Sequence, residues 1–248
     1  MHLHGKYNFF IKNLAVFLAI CALFISHVFA QGTYKTLAAM EAELKALQND
    51  KQNVKLVESD AGAWVILYGK NGYSQNNLPL HISKKLDEIY TSNKNIKQIW
   101  WNEAGANLIL YGNNSFSAYN IPKAMLNKLK ELNDKRKVIN FAWINSDNAW
   151  LILYEDSDFA CSNIPNAMML ELKKISDAKA KWIQAVFTNE TNWFVLYDKH
   201  KFVNSQMPIS LVSNIESLAT TDASIEYIYT LGKNWILIYN SNQYVTSF

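Results

Sequence analysis

A five-residue segment ending in tyrosine recurs along this chain at a nearly constant interval. Its copies are Trp64–Tyr68, Asn107–Tyr111, Trp150–Tyr154, Trp193–Tyr197 and Trp235–Tyr239. Successive tyrosines lie 43, 43, 43 and 42 residues apart. Five residues beyond each stands a second aromatic: Tyr73, Phe116, Phe159, Phe202 and Tyr244. The chain's four prolines, Pro79, Pro122, Pro165 and Pro208, share one position in the period. A period of this length confines a chain to an array of like units, each burying its apolar face against a neighbour.

Each unit reads as strand, strand, strand, helix. The first strand spans Val54 to Glu58 and its counterparts Ile96 to Trp101, Ile139 to Ile144, Ile183 to Phe187 and Ile225 to Tyr229. The recurrent segment follows as an unbroken apolar run, the pattern of a strand covered on both faces. Turns such as Gly69-Lys-Asn-Gly72 and Gly112-Asn-Asn-Ser115 join it by a hairpin to a third strand. That strand carries one aromatic among polar residues, which places it at the sheet edge. The helix opens at the Asn-apolar-Pro step, as at Asn120-Ile121-Pro122, because proline suits a first helical turn. Met125, Leu129 and Leu132 form its apolar stripe and the lysines between them a solvated face.

This makes an α/β repeat protein of five tandem βββα units, at 54–95, 96–138, 139–181, 182–224 and 225–248. A helix over 33–53, with Leu37, Met40, Leu44 and Leu47 as its stripe, precedes them. The last unit has three strands and no helix, so the opening helix is expected to complete it. That arrangement favours a closed five-fold ring over the alternative, an open α/β solenoid with polar caps. The topology resembles the five-fold α/β propellers, a group that includes guanidine-modifying enzymes and a ribosome anti-association factor. The likeness is one of element order alone, and none of that group's motifs stands in this chain.

Residues 1–30 read as a signal peptide: a basic start, the apolar run Leu14–Ile25, and Val28-Phe29-Ala30 as the cleavage pattern. The run is shorter than the roughly 20 residues that span a bilayer, and no comparable run follows it. The expected product is a secreted domain of residues 31–248, extracellular or periplasmic, without a membrane anchor. It holds 22 basic and 21 acidic residues, because the peptide removes two lysines and no acids. Such a balance offers no basic stripe for nucleic acid. Cys161 is its single cysteine, so no internal disulfide is expected.

No cluster of residues demands a particular chemistry. A thiol enzyme of the propeller type would draw on Cys161, His81 and His200 with Asp156, Asp158 or Asp198. Those residues fall on a third strand, a helix and hairpin turns, and an isolated free thiol is the simpler account. The acidic turn Glu155-Asp-Ser-Asp158 lacks the spacing and glycine of a calcium loop. The tryptophans that open the second strands are expected in the core. At Trp100-Trp101, strand alternation turns the two side chains to opposite faces, and the pair is the candidate ligand-binding site. The expectation is a non-enzymatic module without metal or cofactor that binds a glycan or an extracellular protein. A structural or assembly scaffold is the alternative, and a Cys-dependent guanidine-modifying enzyme stands third.

Overall fold

In every unit the recurrent segment is the middle strand of an antiparallel three-stranded sheet, hydrogen-bonded along both edges. The computed structural model describes residues 36–60 and 62–248. The expected signal peptide and the start of the expected opening helix lie outside the described residues. The chain divides into two compact units, residues 1–42 and 43–248. The boundary falls inside helix α1 (36–49), and the architecture that follows is that of the second unit.

Sheet 1 comprises β1 (Val54–Asp60), β2 (Ala63–Tyr68) and β3 (Gly72–Asn76), followed by α2 (Leu80–Thr91). Sheet 2 is β4 (Ile96–Trp101), β5 (Asn107–Tyr111) and β6 (Ser115–Tyr119), followed by α3 (Lys123–Asp134). Sheet 3 is β7 (Ile139–Ile144), β8 (Trp150–Tyr154) and β9 (Asp158–Ser162), followed by α4 (Asn166–Asp177). Sheet 4 is β10 (Trp182–Phe187), β11 (Trp193–Tyr197) and β12 (Lys201–Ser205), followed by α5 (Ile209–Thr220). Sheet 5 is β13 (Ile225–Leu231), β14 (Asn234–Tyr239) and β15 (Gln243–Thr246). Each sheet is built from consecutive strands, so no strand that follows a helix rejoins the sheet before it.

The middle strands are buried apart from their terminal tyrosines and Asn234 of β14, and the third strands are half-buried to exposed edges. Helix α3 seals the junction of sheets 2 and 3. Its Met125, Leu129 and Leu132 pack in one cluster with Leu108 and Leu110 of sheet 2 and Ile139, Ala142 and Ile152 of sheet 3. Sheets are also tied along their chain connections. The backbone N–H groups of Ile96, Ile139, Trp182 and Ile225 each donate to a hairpin carbonyl of the preceding sheet, at 2.9–3.2 Å.

The helix starts differ from expectation by one residue. Each proline is the N-cap, with φ between −51° and −54° and ψ of 130–135°, rather than the first helical residue. Its carbonyl accepts the first helical bond, as from Leu126 N to Pro122 O at 3.0 Å. Two residues upstream, Asn77, Asn120, Asn163 and Gln206 turn the chain with φ of 53–57°. Helix α1 likewise ends at residue 49 rather than 53, because Lys51 takes a left-handed φ of 55°. Gln52 N then bonds back to Leu47 O at 2.9 Å, closing the helix end.

The first strands contact one another in series, β1 with β4, β4 with β7, β7 with β10 and β10 with β13. β1 also contacts β13.

Candidate functional site

Because the units repeat, residues near the ends of β1, β4, β7 and β10 come together. Glu58, Trp100, Trp143, Val186 and Tyr229 occupy one position of the period, since all five pair with the equivalent residue of the second strand. A cavity of about 520 Å³ opens at the ends of β1, β4, β7 and β10. Its wall includes Glu58, Asp60, Trp100, Trp101, Trp143 and Phe187. A second cavity, of about 510 Å³, lies at the starts of β1, β10 and β13 and mixes Lys55 and Lys181 with Asp198 and Glu226.

Trp100 and Trp101 are both largely buried, at 8% and 6% exposure. Alternation alone leaves one of such a pair accessible, but here neighbouring sheets cover both faces of β4. Each still contributes surface to the cavity wall. Trp143 is half-buried, stacks on Phe141 at 6.5 Å with 7° between the rings, and donates Nε1–H to Phe187 O at 2.8 Å. That bond carries a side chain of sheet 3 onto the backbone of sheet 4.

The wall is held by polar side chains that act as backbone. Gln98 and Gln184 are buried and occupy the same repeat position. Gln98 donates to Ala142 O at 2.6 Å and accepts from Ala142 N at 2.8 Å. Gln184 does the same with Ile228 O and N, at 2.8 and 2.9 Å. A side-chain amide offers one donor and one acceptor in plane, so it extends the hydrogen bonding between first strands that are otherwise only packed. Between β1 and β13 the ties are different. Tyr227 donates its hydroxyl to Glu58 Oε1, and the hydroxyls of Ser59 and Tyr229 are hydrogen-bonded.

Glu58 is 8% exposed, and burial pushes its carboxyl up to about 8. The Tyr227 hydroxyl partly offsets this, while nearby Asp60 adds to it. Burial also raises the phenols of Tyr227 and Tyr229 above their ordinary range. The site candidates that the sequence offers include neither Glu58, nor Tyr227, nor the two glutamines. The available signal was a polar residue interrupting an apolar strand at a position that is apolar in sister repeats.

The remaining candidates are dispersed. Cys161 sits half-buried on β9 with its Sγ 4.0 Å from Met169 Sδ, and burial raises its thiol. His81 Nε2 lies 3.1 Å from Asn107 Nδ2, beside the Tyr119 ring. His200 Nδ1 lies 3.2 Å from Ala223 O, two residues before β13. In the acidic turn, Glu155 accepts from Val138 N at 2.9 Å, and the carbonyls of Asp156 and Asp158 accept from Trp182. Asp198 accepts from Lys181 N and pairs with Lys201 at 3.0 Å. Among the described residues, no group of three or more His, Cys, Asp or Glu is disposed to hold a metal ion. Nor, among them, is any helix long and apolar enough to cross a membrane.

No family model matches the sequence, and no curated protein does. Among solved structures the chain resembles YCF48 bound to D1 peptide, with a TM-score of 0.38 and 5% identity over 60% of this chain. It spans about half, 49%, of that chain's length.

Proposed function

We propose that this protein is a secreted or periplasmic non-enzymatic binding module that holds a segment of a glycan or of a partner protein in the cavity at the ends of its first strands. The observation that carries this reading is convergence. Residues of β1, β4, β7 and β10, which are far apart in sequence, form one concave wall of aromatic and polar groups. A concave wall with a few converging polar groups is the ordinary form of a ligand site. The site also belongs to a closed five-fold ring in this proposal, and the contact of β1 with β13 supports that closure. The address rests on the pattern of residues 1–30.

The test is binding of the purified protein to glycan and peptide arrays, repeated with Trp101→Ala, Trp143→Ala and Cys161→Ala. A retained ligand should bind at least tenfold more weakly to the two tryptophan variants and unchanged to Cys161→Ala. Retention indifferent to Trp101 and Trp143, or no retention on any array, overturns the proposal.

A further inference from the structure

Charge is unevenly placed along the first strands. In a chain with 24 basic and 21 acidic residues, the cavity at their ends carries Glu58, Asp60 and Glu103 and no lysine or arginine among its described residues. The cavity at their starts has both signs. Lys55, near the start of β1, spends its ammonium on Lys70 O at 2.9 Å, Ile96 O at 2.7 Å and Asn95 Oδ1 at 3.0 Å. The Lys55 ammonium is thus engaged at the start of the strand, away from Glu58.

Glu58 makes this more than an acidic surface. It is more than nine-tenths buried, lies on the cavity wall, and is held through Oε1 alone. No described residue donates to its Oε2. Oε2 is not sealed from solvent, so a donor that enters the cavity can reach it. The surface beside it is aromatic, from Trp100, Trp101 and Trp143. The faces of aromatic rings tolerate an apolar stem and attract a cation.

We propose that the cavity receives a guanidinium or ammonium group on an apolar stem, donating to Glu58 Oε2 and lying against the tryptophans, as an arginine or lysine of a partner polypeptide would. This rests on the function proposed above and narrows its ligand class. The groups that titrate around Glu58 are Asp60 on its own strand, Tyr227 and Tyr229 on the facing β13, and Glu103 at the end of β4. Because Glu58 ionises only at about 8, capture of a cation from neutral solution releases a proton, and binding strengthens as pH rises.

Calorimetric titration at pH 8.5 and pH 6, with indole N–H resonances followed by NMR, decides the matter. The probes are N-acetyl-arginine amide, its neutral isostere N-acetyl-citrulline amide, agmatine, and a pentapeptide with one central arginine. Trp143→Phe assigns the Trp143 resonance. The arginine probes should shift that resonance, the citrulline probe should not, and binding should be several-fold tighter at the higher pH. Glu58→Gln should weaken binding at least tenfold. Glu103→Gln, at an exposed turn where folding is not at risk, should weaken it about two- to threefold. The pentapeptide binding more tightly than agmatine marks a polypeptide source, and the reverse marks a small amine. Equal binding of citrulline and arginine, or a neutral array ligand that occupies the cavity while the cations do not, overturns the cation assignment and leaves the binding module standing. If neither cations nor any array ligand perturbs Trp143, both proposals fall.

Discussion

Glu58 ties the stability of the protein to pH, and the sign follows from its folded-state value. A carboxyl at about 8 in the folded chain and near its ordinary value when unfolded binds more protons folded than unfolded throughout that interval. Its contribution is therefore fully present below about pH 4.5 and is lost as pH rises toward 8. Lys55, which burial lowers to about 8, acts in the opposite direction and only above that pH. Urea midpoints should fall between pH 5 and pH 8, and Glu58→Gln should flatten that decline. An equal decline in the variant would assign the pH dependence to other groups, Glu226 first, whose carboxyl burial also raises. Glu58 escaped notice in the sequence because its repeat-mates are Trp100, Trp143, Val186 and Tyr229, so alignment of the units shows an exception without saying what faces it.

At the level of elements, the middle strand with its helix is the unit of stability. Trp150 opens β8, is 7% exposed and lies in the cluster with Met125 and Leu129 of the preceding helix. Trp193, its repeat-mate on β11, is 6% exposed. Each substitution to alanine should cost about 3–5 kcal/mol, read from urea unfolding, because a large cavity is left that a sheet cannot collapse to fill. A loss near zero would place these rings outside the core. Trp100 and Trp101 are buried to the same degree, whereas Trp143 is half-buried. These elements were legible because their causes are local. An unbroken apolar run, a hairpin turn and an Asn-apolar-Pro step act within a few residues. The one-residue error at the helix starts arose because proline's φ of about −53° suits both the cap and the first turn, and ψ decides between them.

For the whole molecule, the open question is whether the first and last sheets depend on each other. Tyr227 and Glu58 are 169 residues apart and share a buried hydrogen bond. In a closed ring, Tyr227→Ala should lower amide protection in β13 and equally in β1, with sheets 2 and 3 less affected. Hydrogen exchange followed by mass spectrometry reads this directly. Loss confined to sheet 5 would favour an open stack, in which the first sheet does not rest on the last.

The sequence by itself determined the period, the five strand triplets, the helix stripes and the dispersal of Cys161, His81 and His200 among separate elements. Apolar patterning acts over a few residues, and repetition copies each local decision along the chain. Only the tertiary structure decided that both Trp100 and Trp101 are covered, that Gln98 and Gln184 stitch neighbouring first strands, and that Glu58 meets Tyr227 beside an aromatic cavity. Those outcomes depend on the packing angle between successive sheets. A one-dimensional pattern of apolar and polar residues shows which way a side chain alternates, but the residue it meets is chosen by the sheet packed against it.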